Sequence, residues 1–232
     1  MWRNLAQLAR YRGLIQSLVA RELKARYRGS VLGFFWSFVN PLLLLLVYTF
    51  VFTYILPAKF PRADGKGELD HYALFLFCGL LPWTWFASSL LEASGALISG
   101  GNLIKKVLFP AEVLPIVSVL ANMVHFFFGL LILVAFLVAY RHTPDLPGLF
   151  WFPVAVAIQL VFTLALALIL SALTVHFRDI RDLLANLLTF WFFATPIIYS
   201  YRLENVERYR RFFELNPFYH LAISYQEILF FP

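Results

Sequence analysis

Residues 21–46 read RELKARYRGSVLGFFWSFVNPLLLLL, a basic segment that runs directly into a long apolar one. Charged residues crowd up to Arg28, and none occurs again before Lys59. An uncharged run of this length is long enough to cross a hydrocarbon core about 30 Å thick as a helix. The chain is therefore predicted to enter a membrane from a basic, water-facing helix.

The composition extends this prediction to the whole chain. Of its 232 residues, 61% are hydrophobic and 14% are charged, whereas ordinary soluble domains contain about 25% charged residues. We therefore predict a single, all-α, polytopic membrane domain over 1–232. The net charge of +6 does not indicate nucleic acid, because much of it precedes the first span, where the positive-inside rule and anionic lipid favour it. These early basic residues are Arg3, Arg10, Arg12, Arg21, Lys24, Arg26 and Arg28.

Hydropathy divides the chain into a leading helix and five spans. Residues 1–30 have apolar residues at helical spacing and predict an amphipathic helix at the membrane surface, the alternative being a helix packed on a soluble partner. Residues 201–232 predict short re-entrant helices, broken at Asn216-Pro217, on the outer side. The basic leading segment places the N-terminus in the cytosol. The predicted spans are 33–56, interrupted at Asn40-Pro41; 72–97, broken at Pro82; 113–140; 150–175; and 183–200.

Few residues in the sequence are candidates for catalysis, proton transfer or metal binding. Glu92 lies inside the second span, where a carboxylate is costly and indicates function, unless it sits near the interface and is solvated. His125 lies mid-span and is expected to be a hydrogen-bonded packing residue. Cys78 is expected to pack as a small apolar residue. No metal-ligand spacing occurs among the histidines, so we predict no metal site.

The sequence contains RYRGSVLG at 26–33, followed by Trp36 and Asn40-Pro41, and FCGLLPW at 77–83. It also contains NLIKKVLFP at 102–110, and FRDI at 177–180 followed by 191–199. In this order the four stretches resemble the type-2 ABC exporter permeases for polysaccharides, a group that handles O antigen, capsule and teichoic acid, and Asn216-Pro217-Phe218 fits the re-entrant region of that family. Members of the family have a sixth span. We therefore expect the sequence to be truncated at its C-terminus; the alternative is that this member lacks that helix.

The chain has no phosphate-binding loop of the kind that ATPases use. An exporter of this type therefore needs a separate ABC ATPase subunit, which would hold the ATP and Mg. We expect this chain itself to need no cofactor and not to be an enzyme. The resemblance implies that the segment between spans 2 and 3, capped by Asn102 and ended by Pro110, is the coupling helix; the alternative is a plain loop facing lipid head groups. The coupling residues are Asn102, Leu103, Ile104, Lys105, Lys106, Val107, Leu108 and Phe109, with Arg26 and Arg28 as a second contact.

Two further sets of residues are candidates for contact with the substrate. Aromatic rings can stack on the apolar faces of sugars and hold a sliding polymer loosely, as a conduit requires; the alternative is that they form membrane-interface belts or core. These candidates are Phe35, Trp36, Trp83, Trp85, Trp191 and Tyr199. A charged segment between spans 4 and 5 contains Arg178, Asp179, Arg181 and Asp182, which are spaced for local ion pairs. Its arginines are suited to a lipid-pyrophosphate head; the favoured alternative is a purely structural elbow.

Our hypothesis is a permease subunit in the bacterial inner membrane that moves a lipid-linked polysaccharide. A half-transporter of this size cannot surround a glycan alone, which favours a homodimer. The alternatives are a related permease for a drug, haem or lipid, and a membrane-embedded glycolipid-modifying enzyme. The enzyme would need carboxylates or histidines converging at one depth, and the carboxylates here are too few and too dispersed.

Overall fold

The described part of the chain is helical. The structure, a computed structural model, describes residues 11–55, 71–101, 103, 110–141, 146–201 and 208–230, and no strand occurs among them. This confirms the all-α prediction. The helices are α1 (Arg12–Arg26), α2 (Gly33–Ile55, with a 3-10 first turn and a π-helical last turn), α3 (Tyr72–Ser99), α4 (Val113–Ala139), α5 (Leu146–Leu149), α6 (Phe152–His176), α7 (Ile180–Phe193), α8 (Arg210–Glu214) and α9 (Pro217–Leu229).

Four helical segments among the described residues are long and apolar enough to cross a membrane. They are Gly33–Ile55, Tyr72–Ser99, Val113–Ala139 and Pro147–His176. They agree with the first four predicted spans to within a few residues at each end. The chain is thus a multi-pass helical membrane protein.

The fifth predicted span differs from the observed helix. The helix expected over 183–200 ends at Phe193, so α7 has 14 residues and is shorter than a span requires. Pro196 explains the early end, because proline lacks an N–H and disfavours the helical conformation of the residue before it. The boundary prediction was wrong, and a fifth crossing stays a prediction.

Two predicted proline breaks are also wrong. Helix α2 continues through Pro41 and α3 continues through Pro82. Membrane helices tolerate proline where neighbouring groups satisfy the backbone. Near Pro82 the Nε2 of Gln159 also donates to the Pro82 carbonyl at 2.8 Å, a contact that ties α6 to α3 but does not replace the bond that the missing proline N–H would make. The break predicted at Asn216-Pro217 is confirmed, because α9 begins there with Asn216 as its N-cap.

The chain divides into two compact units. The first comprises the described part of Met1–Trp36 with Trp85–His125 and Leu160–Asn186. The second comprises the described parts of Ser37–Thr84, Phe126–Gln159 and Leu187–Pro232. The prediction of a single domain over 1–232 stays a prediction.

In the first unit, α1 docks through one buried leucine. Leu18 is 8% exposed and packs with Val113 and Val117 at the start of α4. Leu14, Ile15, Val19 and Leu103 add partly buried apolar surface around it. The helix ends at Arg26, and Gly29 follows with φ +83°, a conformation that glycine adopts without steric cost. The apolar face predicted for the leading helix is therefore used for packing, and its location at the membrane surface stays a prediction.

We expect Leu18→Ala to loosen α1 and to lower the free energy of unfolding by about 2 kcal/mol, the usual cost of truncating a buried leucine. Thermal unfolding in nanodiscs, together with trypsin cleavage after Arg21 and Lys24, measures both effects. Val31→Ala is the control, because Val31 is fully exposed and should change neither. Unaltered trypsin resistance in the Leu18 variant would show that α1 docks by other contacts.

Candidate functional site

Three polar side chains from three helices form a closed cluster in the first unit. Arg26, at the end of α1, pairs with the Glu92 carboxylate in α3. The Nη1 of Arg26 donates to Asn122 Oδ1 in α4 at 3.0 Å, and Asn122 Nδ2 donates to Glu92 Oε2 at 2.7 Å. Asn122 is 5% exposed, and the side chains of Arg26 and Glu92 are 21% and 38% exposed. We call these three residues the polar cluster.

Tyr27, the residue that follows Arg26 at the end of α1, makes a second contact to α4. The His125 Nδ1 lies 2.9 Å from the Ala121 carbonyl, which only accepts, so this nitrogen carries the proton. In the neutral ring Nε2 then accepts from the Tyr27 hydroxyl at 2.7 Å. The expectation of a hydrogen-bonded His125 is confirmed. Two consecutive residues thus tie the end of α1 to α4.

These contacts answer the question that the sequence left open at Glu92. The carboxylate is neither isolated nor simply solvated, because it accepts hydrogen bonds from Arg26 and Asn122. They also alter the interpretation of Arg26, whose guanidinium faces inward instead of standing free for an ATPase. Arg28, two residues on, is exposed and keeps its predicted availability.

The predicted coupling segment lies mostly outside the described residues. Leu103 is described, and it packs against the Leu18, Val113 and Val117 cluster. The structure therefore connects one coupling residue with the docking site of α1. The residues outside the description are Asn102, Ile104, Lys105, Lys106, Val107, Leu108 and Phe109.

The elbow residues Arg178, Asp179, Arg181 and Asp182 are exposed. Within the described ranges none of the four forms an ion pair, so the local pairs expected from their spacing are absent there. Arg181 instead lies over Gly95, with Nη1 3.8 Å from the position a Cβ would take.

Arg181 also lines a cavity of 650 Å³ in the first unit. Arg21, Glu22, Glu92 and Ser99 line the same cavity. The structure thus brings one elbow residue to the polar cluster, an association that spacing along the sequence did not predict.

The six conduit candidates differ in how far they are buried. Trp83 is buried in the second unit, with its ring 5.0 Å from Phe218 and 6.3 Å from Trp191. Trp85 is 2% exposed in the first unit, and its Nε1 donates to the Val119 carbonyl at 3.2 Å. Burial leaves these two tryptophans no face for a sugar, so the core alternative applies to them.

The other conduit candidates are more accessible. Phe35 is 70% exposed. Trp36 is half-buried and donates through Nε1 to Ser30 at 2.9 Å. Tyr199 donates its hydroxyl to the Phe193 carbonyl at 2.9 Å, and it too is half-buried. Phe35 is therefore the most exposed of these three rings.

Asn216 organises the end of the second unit, a role that the sequence did not reveal. Its Oδ1 accepts from Trp191 Nε1 at 2.6 Å and from the Phe218 backbone at 3.0 Å. Its Nδ2 donates to Thr195 Oγ1 at 2.8 Å. One amide therefore caps α9 and joins it to the end of α7. The signal in the sequence was Asn directly before Pro, the pattern of an N-cap followed by the first helical position.

Glycine permits close packing within the same unit. A Cβ on Gly79 would lie 2.9 Å from Gln226 Nε2 and 3.4 Å from Ile197 Cγ2. Gly79 belongs to the GLLPW stretch whose Pro82 and Trp83 make the contacts described above. The stretch that carried the resemblance thus serves packing in this chain.

The structure defines the class of this protein as a multi-pass helical membrane protein. Among the described residues no group of three or more His, Cys, Asp or Glu is placed to hold a metal ion. The polar groups that do meet join helices to one another.

Comparison with known proteins places this chain in a family. Residues 13–230 match the ABC-2 type transporter family, and the chain belongs to that family. It is 44% identical over 231 residues to the O-antigen export system permease protein RfbA of Myxococcus xanthus, covering 99% of this chain and 85% of that one.

Two further relatives are more distant. The O-antigen export system permease protein RfbA of Klebsiella pneumoniae is 32% identical over 93% of this chain and 79% of its own length. The capsule polysaccharide export inner-membrane protein CtrC of Neisseria meningitidis is 27% identical over 74% of this chain and 62% of its own. The resemblance deduced from the motifs is confirmed at the level of the family.

Proposed function

We propose that this chain is the permease subunit of an ATP-driven exporter that moves a lipid-linked polysaccharide across the bacterial inner membrane. The observation that carries the proposal is 44% identity over nearly the whole chain to a permease named for O-antigen export. The names of the relatives favour a polysaccharide over a drug, haem or lipid. They also favour transport over a membrane enzyme.

The proposal requires an ATPase partner, which would hold the ATP and Mg. Residues 102–109 are proposed as its docking element, and exposed Arg28 is proposed as a second contact. The packing of Leu103 against α1 and α4 supports this choice, because force applied to the segment would reach helices on both sides. A second copy of this chain is proposed to complete the conduit.

The membrane arrangement follows from the same proposal. The N-terminus faces the cytosol with α1 at the interface, and α7 with the residues after it provides a fifth crossing. Helices α8 and α9 then form the re-entrant region on the outer side. Phe35, with Trp36 and Tyr199, is proposed to face the glycan, and Arg178 and Arg181 to meet the pyrophosphate of its lipid carrier.

Deleting the gene should abolish surface polysaccharide and accumulate lipid-linked glycan inside the cell, and a plasmid copy should restore export. The ATPase encoded beside it should co-purify with this chain. The Lys105→Glu, Lys106→Glu double variant should reduce both co-purification and export, whereas the Arg12→Glu, Lys24→Glu double variant, an equal charge change at exposed positions of α1, should reduce neither. Normal surface glycan after deletion would contradict the proposal.

A further inference from the structure

Another cavity lies within the second unit. Its volume is 350 Å³, which falls in the size range of pockets for small molecules. It lies beside α8 and α9, two helices that pack on each other. The residues that line it are Tyr201, Arg210, Glu214, Tyr219, His220, Ile223 and Ser224.

Among the described residues that line this cavity, the charges cancel. The Arg210 Nε lies 2.8 Å from Glu214 Oε1, and the two residues stand one helical turn apart. A free anion would meet the Glu214 carboxylate, and a free cation would meet the guanidinium. The pair therefore favours a neutral ligand, to which it offers both charge-assisted donors and acceptors.

The uncharged groups also offer both donors and acceptors. His220 Nε2 donates to the Glu214 carbonyl at 3.2 Å, so Nδ1 of the neutral ring is an acceptor. Ser224 donates to the His220 carbonyl at 2.7 Å and keeps lone pairs on its oxygen. Burial raises the pKa of the Tyr219 hydroxyl above its ordinary value, so this group stays protonated and is able to donate. Such a mixture matches hydroxyl groups, which need a donor and an acceptor at each position.

One wall of the cavity is aromatic and apolar. The Tyr219 ring stacks on Phe213 with centroids 6.1 Å apart and meets the His220 ring edge-on at 5.3 Å. Ile223 adds aliphatic surface. The aromatic packing holds Tyr219 in place, so its hydroxyl is presented from a rigid support. A purely polar ligand would leave this apolar wall without an apolar surface to contact.

A neutral molecule with many hydroxyls and apolar C–H faces satisfies all of these features together. We propose that this cavity is a glycan-binding subsite that holds a short stretch of neutral sugar residues of the exported chain. This inference rests on the proposed function and adds a position where the polymer is held. It is separate from the conduit aromatics, none of which lines the cavity.

The test uses the full chain in cells that lack the chromosomal copy. A photocrosslinking amino acid, p-benzoylphenylalanine, replaces Ile223, which contributes only apolar surface. After irradiation the purified protein is treated with periodate and a hydrazide dye, which label the cell's own glycan. We expect a glycan ladder attached to the protein. The same photocrosslinker at Leu173, an exposed position on α6, should give none.

A second substitution tests whether a hydroxyl group of the cavity helps to bind the glycan. Tyr219→Phe removes one hydroxyl and should lower the crosslink yield about fivefold, the worth of one hydrogen bond, with the amount of protein and of co-purified ATPase unchanged. If the variant at Ile223 does not restore export, the photocrosslinker at Ser224 takes its place. Restored export without a ladder, or an equal ladder from Leu173, would overturn the subsite alone. Normal surface glycan after deletion would instead overturn the proposed function.

Discussion

Replacing Arg26 by alanine should lower the free energy of unfolding by about 3 kcal/mol and abolish export. The variant leaves the Glu92 carboxylate within a membrane helix with only the Asn122 amide to satisfy it. Removing one partner of a buried ion pair costs about 3–5 kcal/mol, and the lower value applies because both side chains keep partial exposure. Chemical or thermal unfolding in nanodiscs measures the first effect, and surface glycan measures the second.

Two companion variants decide whether the charge is the cause. Adding Glu92→Gln to Arg26→Ala removes the stranded charge and should recover at least half of the lost stability, whereas unrelated sites would simply add. Lys24→Ala, which removes an exposed charge from the same helix, should stay within about 0.5 kcal/mol of the parent. If the double variant is no more stable than Arg26→Ala, then Arg26 acts through packing and not through Glu92.

Asn216→Ala should cost about 3 kcal/mol in the free energy of unfolding. The loss of the N-cap of α9 contributes about 1 kcal/mol, and the stranded Trp191 N–H, which donates to Asn216 at 2.6 Å, contributes about 1–3 kcal/mol more. Unfolding in nanodiscs should therefore begin at a lower temperature. Because Trp191 also packs on Trp83, its intrinsic fluorescence should report the change.

Asn216→Asp distinguishes the contribution of the amide oxygen to stability from that of the amide nitrogen. Aspartate keeps an oxygen for Trp191 and for the Phe218 backbone. It loses the N–H bonds to Thr195 Oγ1 and to the Ala194 carbonyl, so the stability of this variant should fall between those of the parent and the alanine variant. Asn186→Ala is the control, since that exposed side chain bonds only to the backbone of its own helix at 3.1 Å. Equal losses in the alanine and aspartate variants would assign the stability to the Nδ2 bonds alone.

The sequence predicted the long elements because each depends on local composition. An apolar run such as 113–140 has one stable solution in a membrane, a helix that satisfies its own backbone, and the observed helix is Val113–Ala139. The proline predictions at Pro41 and Pro82 failed for the opposite reason. Whether a helix continues through a proline depends on the packing around it and on what meets the freed backbone carbonyl, and local composition gives neither.

The candidate site was less predictable because its members are distant in sequence. Glu92 was recognisable as costly, but its partner Arg26 lies 66 residues away and belongs to a basic segment with several equivalent arginines. Composition also does not distinguish a buried ring from an accessible one. Trp85 and Phe35 were equal candidates for a conduit, and only their packing separates them.

The order of the polar-cluster residues along the chain also has a consequence for biogenesis. Ribosomes make the chain from its N-terminus, so Arg26 exists before Glu92, and Asn122 comes 30 residues after Glu92. Placing a bare charge at membrane depth is unfavourable. In this order the guanidinium is made before the carboxylate with which it pairs, and the amide that completes the cluster is made last. The carboxylate, which is costly to bury without a partner, is therefore made only after the arginine that pairs with it.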